Sequence, residues 1–216
     1  MSPNALRVLP LSMASVLVLA TSAFAAPPIA STFDTDLDGW TTSGPGGVVY
    51  QSAGGNPGGY AQFLRAASSP DTVAVAPPKF TGNLSAYDGQ IISFDAGGAP
   101  SQAGTAEPSF GLIDIYYSGL PTPISQDIAP GIPGLPFQTY SGPFTAAGFG
   151  VSPATWSTAI ANIDSITIDI STYVPVSANS PVSVDNVMIS PEPTSLALLA
   201  LGACALLRRR RTLNPA

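Results

Sequence analysis

Alternating carboxylates near the start of the chain could bind a divalent cation. Asp34, Asp36 and Asp38 occupy every second position and a glycine follows, which fits the opening D-x-D-x-D-G of a calcium loop. The twelfth loop position is Pro45, where an EF-hand needs a bidentate glutamate, so an EF-hand is excluded. Two interpretations stay open: a solvated acidic turn, or a structural calcium that these three aspartates share with Asp185 near the last predicted strand.

The residue types that usually carry catalysis are scarce. The chain has no histidine, so a serine nucleophile lacks its usual base. The one cysteine, Cys204, lies in the C-terminal tail, and a transition-metal site is therefore not expected. Two aspartates could serve a glycosidase, but no pair is marked by the sequence. We assign no catalytic residue and predict that the protein is not an enzyme.

Aromatic side chains could stack on sugar rings, because their faces offer apolar contact to a pyranose. The alternative for each one is packing in the core, and the sequence does not separate the two. The candidates are Trp40, Tyr50, Tyr60, Tyr87, Tyr116, Tyr117, Tyr140, Trp156 and Tyr173.

The charge of residues 26–190 is strongly negative. This region contains two basic residues, Arg65 and Lys79, against twelve acidic ones, a formal charge of −10. Such a surface repels phosphate groups, so nucleic acid is excluded as a partner, whereas cations such as calcium are favoured.

The C-terminal tail, residues 191–216, has three parts in a fixed order. An apolar stretch at 196–207 is composed mainly of Leu and Ala, and a basic cluster follows it directly, as at the cytoplasmic end of a membrane segment. Twelve helical residues reach roughly 20 Å, which is short for a bilayer core of about 30 Å. The parts are the motif Pro191, Glu192 and Pro193, a membrane segment at 194–207, and the basic stop Arg208, Arg209, Arg210 and Arg211.

This ordered tail resembles the PEP-CTERM sorting signal of Gram-negative bacteria. The resemblance implies recognition by an exosortase, a membrane transpeptidase, with cleavage near residues 191–193. It implies a protein tethered to the inner membrane by the tail before processing and then found at the cell surface or outside the cell. Such proteins typically accompany exopolysaccharide and the biofilm matrix.

The N-terminus, residues 1–25, has the layout of a secretory signal peptide. One arginine precedes an apolar stretch at 11–20, and Ala23-Phe24-Ala25 forms an A-x-A cleavage site. We expect export through the Sec translocon, removal by signal peptidase, and a mature chain that begins at Ala26. An N-terminal membrane anchor is the alternative, but the apolar stretch is short for one.

Period-two patterns dominate residues 26–190, one domain's length of chain. Residues 112–117 and 166–170 show it best, with Ile166, Ile168 and Ile170 inward and Thr167 and Asp169 outward. Ser152 and a following proline predict one short helix that ends at 161. We predict an all-β fold, an antiparallel jelly-roll-like β-sandwich with one short helix. Further strands are expected at 48–51, 60–64, 72–76, 91–95, 140–144 and 184–189.

Five stretches of this region resemble a laminin B (laminin IV) domain as found in bacterial secreted proteins. They are Phe33-Asp34-Thr35-Asp36 with Gly39-Trp40, residues 55–60, residues 77–87, the predicted strand at 91–95 and Val184-Asp185-Asn186-Val187. The resemblance implies a jelly roll related to carbohydrate-binding modules and supplies no catalytic residues.

Three functions follow from these observations. The first is a non-catalytic binding module that contacts exopolysaccharide, with ligand-binding residues that the sequence leaves unknown. The second is a structural or adhesive surface protein without carbohydrate binding, and the third is a glycan-acting hydrolase. No cofactor is required by any of them beyond the calcium considered above.

Overall fold

The computed structural model describes residues 26–190, apart from gaps at 45, 66–71, 99–104, 107, 135, 172 and 175–180. Over these residues the chain forms two main antiparallel sheets, a two-stranded ribbon and one α-helix, so the predicted all-β sandwich with a short helix is confirmed. The predicted signal peptide and the predicted tail lie outside the described residues.

The strands are short, and most coincide with the predicted period-two segments. In chain order they are β1 (Ile29–Ser31), β2 (Thr41–Ser43), β3 (Gly46–Gln51), β4 (Tyr60–Arg65), β5 (Val73–Val75), β6 (Gln90–Gly98), β7 (Thr105–Ala106), β8 (Leu112–Tyr117), β9 (Ile124–Asp127), β10 (Gln138–Phe144), β11 (Ile163–Asp169), β12 (Tyr173–Val174) and β13 (Val182–Ser190). The helix α1 (Pro153–Ala161) lies between β10 and β11.

The larger sheet has the order β10-β6-β13-β4-β3, and β1 also pairs with β13. The smaller sheet has the order β2-β5-β11-β8-β9, and β7 and β12 form a separate two-stranded ribbon. The last strand, β13, is central to the larger sheet, since it pairs with β6, β4 and β1. The two ends of the domain are therefore neighbours in one sheet.

Alternation along the strands explains which side chains reach the core. In β8, Ile113, Ile115 and Tyr117 point inward and are buried. Tyr116 points to the opposite face and is half-buried. Thr167 lies between the buried Ile166 and Ile168 and therefore on the opposite face of β11, as predicted. It is nevertheless only 9% exposed, since β11 has a neighbouring strand on each side.

The helix begins as predicted. The Ser152 hydroxyl accepts a hydrogen bond from the backbone N–H of Thr155 at 3.1 Å, and Pro153 occupies the first turn, where no backbone donor is needed. Trp156 faces the core, stacks on Phe149 at 5.2 Å between ring centroids, and donates its indole N–H to Asp88. These contacts attach the helix to the end of the sandwich.

Candidate functional site

The outer face of the larger sheet carries polar side chains, whereas its inner face is apolar. In β13, Val182 and Val184 point into the core, so the intervening Ser183 and the following Asp185 belong to the outer face. The pairing places Ser183 opposite Gly97 and Asp185 opposite Asp95 of β6. A row of polar groups thus crosses the middle of this sheet.

A cleft of about 510 Å³ lies on this face. Its walls come from the loop between β3 and β4, from the outer faces of β4, β6 and β13, and from the segment before β10. The lining residues are Gly54, Gly55, Asn56, Tyr60, Gly97, Gly98, Pro136, Phe137 and Ser183. Concave surfaces with aromatic walls and a few fixed polar groups are typical of ligand sites.

Two aromatic rings form one side of the cleft. Tyr60 and Phe137 meet edge to face, with ring centroids 5.8 Å apart and an interplanar angle of 69°. Both side chains are half-buried. An edge-to-face pair of this kind holds both rings in place and leaves apolar ring surface open to a ligand.

Glycines in β6 allow the segment before β10 to lie close to the sheet. A Cβ atom at Gly98 would lie 2.7 Å from the carbonyl oxygen of Pro133, which is too close for any real side chain. At Gly97 the added atom would meet the Phe137 ring at 3.5 Å, an ordinary contact distance. The Phe137 ring therefore rests directly on the β6 backbone.

Beside the cleft, two buried carboxylates are held by neutral donors. The backbone N–H of Asn56 donates to Asp185 at 2.6 Å, and its side-chain amide donates to Asp95 at 3.1 Å. Asn186 donates to Asp185 from its backbone at 2.7 Å and to Asp95 from its side chain at 2.8 Å. Thr139 adds a hydroxyl hydrogen bond to Asp95 at 2.6 Å. We call these five residues the aspartate network.

The aspartate network depends on an irregularity in β13. The pairing with β6 shifts register between Asp185 and Met188, and Asn186 there has a φ of 48°, in the left-handed region. Asparagine tolerates this conformation better than other residues with a side chain, except aspartate. The bulge turns the Asn186 amide toward Asp95, and this amide also donates to the carbonyl oxygen of Asn56. The loop over β13 is thereby attached to the sheet.

Burial above all raises the pKa of the Asp185 carboxyl, whose residue is fully buried. The negative charges of Asp95 and Asp34 raise this pKa further, while the backbone N–H groups of Asn56 and Asn186 lower it. The charged form of this carboxyl is thus disfavoured by burial and by its acidic neighbours, and the two backbone N–H donors offset part of that cost.

The structure does not gather the four aspartates predicted to bind calcium. Asp38 forms an ion pair with Lys79, and the carboxylate of Asp36 accepts the backbone N–H of Asp38 at 2.6 Å. Asp34, Asp36 and Asp38 line a concavity of about 320 Å³, whereas Asp185 is buried under the loop that contains Asn56. Across the described part of the chain, no three Asp, Glu, His or Cys side chains are arranged to hold a metal ion. What the structure retains of the predicted set is the electrostatic interaction of Asp34 with Asp185.

Calcium binding by Asp34, Asp36, Asp38 and Asp185 stays a prediction. A cation that binds only the folded domain at a hundredfold excess over its dissociation constant stabilises by about 2.7 kcal/mol. For a domain of this size the melting temperature should rise by roughly 5 to 10 °C in millimolar calcium relative to EDTA. The shift should be absent in Asp34→Asn. An equal shift in magnesium would indicate charge screening alone, and equal melting in calcium and EDTA would contradict the prediction.

The aromatic candidates divide between the core and the surface. Trp40, Tyr117, Tyr140 and Trp156 are buried, so core packing is correct for these four. Tyr60 lines the cleft. Phe137 was not among the candidates, because it lies in a Pro/Gly-rich stretch without periodicity; its position shortly before a predicted strand was the one available signal.

The sorting tail lies outside the described residues, and so do the residues assigned to it. Within the described ranges no helix has the length and apolar character needed to cross a membrane. A profile of the PEP-CTERM protein-sorting motif matches residues 191–211, which include the Pro-Glu-Pro motif and all four arginines. The predicted sorting signal is confirmed at this level.

Solved structures of similar fold include a laminin domain and carbohydrate-binding modules. The L4b domain of human laminin alpha-2 aligns with a TM-score of 0.52 and 14% identity, over 75% of this chain and 96% of that domain. The CBM22-1–GH10 modules of xylanase 10B from Clostridium thermocellum, solved with xylohexaose, align with a TM-score of 0.50 and 17% identity. That alignment covers 76% of this chain and 28% of the other. A xylan-binding domain of carbohydrate-binding module family 22 aligns with a TM-score of 0.49 and 13% identity, over 76% of this chain and 93% of that domain. No curated protein sequence matches the chain.

These likenesses concern the fold, because all identities are below one fifth. The predicted resemblance to a laminin domain is confirmed for architecture, and the motif at the C-terminus is a signal for export. The chain therefore carries a PEP-CTERM sorting motif C-terminal to a β-sandwich that is similar in fold to a laminin L4b domain.

Proposed function

We propose that this protein is an exported, exosortase-processed binding module of the cell surface or extracellular matrix, and that its cleft binds a polysaccharide chain. The observation that carries the proposal is the open cleft with the Tyr60–Phe137 ring pair. A pyranose ring can lie on such aromatic surface while its hydroxyl groups bond to nearby polar groups. Ser183 and Asn56 supply these groups within the same cleft.

Two further observations support a binding role. The sorting motif directs the protein to the exterior, where polysaccharide is available. The similar xylanase modules from Clostridium thermocellum were solved with xylohexaose, so a chain of related fold occurs in a protein that handles glycans. We extend the proposal to exopolysaccharide of the producing bacterium and to its biofilm matrix.

The hydrolase alternative has one structural argument. Asp95 and Asp185 occupy paired positions on the adjacent strands β6 and β13, and burial raises the pKa of Asp185. Both carboxylates, however, are buried and hydrogen-bonded to protein donors, so they are poorly placed to reach a glycosidic bond. Release of reducing sugar ends, lost in Asp95→Asn, would favour hydrolysis over binding.

The binding test uses the exported protein and exopolysaccharide from the producing cells. Affinity electrophoresis should show retardation, and Tyr60→Ala or Phe137→Ala should each weaken binding by about tenfold. A factor of ten corresponds to about 1.4 kcal/mol, a usual cost of removing a central aromatic contact. Tyr116→Ala is the matched control, since Tyr116 is equally half-buried but lies on the smaller sheet.

Equal affinities for all three variants would remove the cleft as the binding site. If the polysaccharide does not bind at all, the structural or adhesive function is favoured instead.

A further inference from the structure

The charges around the cleft bear on which polysaccharide it accepts. Asp95 is two positions from the cleft residue Gly97 in β6, and Asp185 is two positions from the cleft residue Ser183 in β13. Residues two apart in a strand share a face, so both aspartates lie on the face that carries the cleft. Their hydrogen-bond partners in the aspartate network are amides and a hydroxyl, which carry no positive charge. None of the groups that hold the two carboxyl groups is a basic side chain.

Positive charge is scarce in this domain. The sequence has only two basic residues between 26 and 190, Arg65 and Lys79. Lys79 is already paired with Asp38. Arg65 is the last residue of β4, at the opposite end of this strand from Tyr60.

A charged ligand in the cleft would therefore experience a negative potential. Aromatic walls of low dielectric, here Tyr60 and Phe137, concentrate such a field within a cleft. The formal charge of −10 over residues 26–190 adds a background of the same sign. Carboxylate groups on a sugar would be repelled, and protonated amino groups would be attracted.

On the basis of the function proposed above, we propose that the cleft ranks polysaccharides by charge. It binds chains that carry protonated amino groups most tightly, uncharged chains less tightly, and uronate chains least. The ligand class assigned to this protein is thus an amino-sugar polysaccharide with free amines.

Three β-1,4-linked hexamers test this ranking on the exported protein: glucosamine, N-acetylglucosamine and mannuronate. Calorimetry is run at about pH 5.5, where the amines of the glucosamine hexamer are protonated and the carboxylates of the mannuronate hexamer are ionised. The glucosamine hexamer should bind at least about fivefold more tightly than the acetylated one at low salt. The difference should shrink near 1 M salt, where the Debye length falls to about 3 Å.

A change of charge in the cleft provides an independent test that leaves the aspartate network intact. Ser183→Lys places a cation in the cleft and should reverse the order, so that mannuronate binds more tightly than glucosamine. Thr122→Lys adds the same charge on an exposed loop between β8 and β9 and should leave the order unchanged.

The outcomes separate the two proposals. Tight binding of the acetylated or the mannuronate hexamer by the unchanged protein, equal to or above that of glucosamine, would overturn the charge ranking and leave polysaccharide binding standing. Unchanged order in Ser183→Lys would also overturn it. Failure of every hexamer and of the producer's own exopolysaccharide to bind would overturn both.

Discussion

Replacing the Pro-Glu-Pro motif should abolish release of the protein from the membrane. We expect the unchanged protein to lose residues 1–25 and to be cut near residues 191–193, so that its mass excludes the four C-terminal arginines. With Pro191, Glu192 and Pro193 all changed to alanine, the transpeptidase has no recognition motif. The apolar segment at 194–207 and the basic stop then hold the protein in the membrane fraction, because arginines do not cross the bilayer core readily.

Intact-mass measurement and fractionation of the producing cells check this result. Glu107→Ala is a control of matched chemistry, since Glu107 is the only glutamate between 26 and 190 and lies outside the motif. Surface or secreted material whose mass still includes residues 208–211 would show that the tail is an ordinary anchor. If the Pro-Glu-Pro variant and Glu107→Ala both keep residues 208–211, the tail is likewise an ordinary anchor.

Asn186→Ala should produce the largest loss of stability among changes near the cleft. The substitution removes the side-chain hydrogen bonds to Asp95 and to the carbonyl of Asn56, and a bond to a charged group contributes about 1.5 to 3 kcal/mol. It also places alanine at a φ of 48°, which adds roughly 1 kcal/mol. We expect a loss of about 2 to 4 kcal/mol and a melting temperature lower by roughly 6 to 12 °C.

Asn186→Gly separates the two causes, because glycine accepts the left-handed backbone without strain. This variant should lose the hydrogen bonds alone and melt between the unchanged protein and Asn186→Ala. Melting of all three in EDTA provides the comparison. If Asn186→Ala has the same melting temperature as the unchanged protein, the side-chain hydrogen bonds of Asn186 contribute no stability. If only Asn186→Ala is destabilised, backbone strain accounts for the whole effect.

Much of the fold could be predicted from local patterns. Residues 112–117 were predicted as a strand and coincide with β8, and the helix has its predicted Ser152 cap. Five strands of two to four residues, β1, β2, β7, β9 and β12, were not predicted, because so few residues rarely show a period of two. β9 also lies in a stretch rich in proline and glycine, whose composition favours a loop.

The candidate site was predicted only in fragments. Asp185 was singled out by its place near the last strand, but its partner Asp95 was not, since nothing near it in the sequence marks a second carboxylate. Asp38 was assigned to calcium, whereas the structure pairs it with Lys79, 41 residues further along the chain. Pairings of this kind depend on where two loops meet, and residue spacing carries no information about that.

The sequence by itself determined that the chain carries a sorting motif at residues 191–211, because such a motif is a linear feature that is recognised as sequence. It also determined which residues of each strand share a face, because side-chain direction alternates locally. Only the tertiary structure decided what those faces become. Asn56 and Asp185 are 129 residues apart, yet they share a hydrogen bond because β13 pairs with β4 and β6 in the middle of one sheet. The order of strands in that sheet brings Tyr60, Phe137 and Ser183 to one cleft, and strand order follows from burial of the whole core rather than from any single segment.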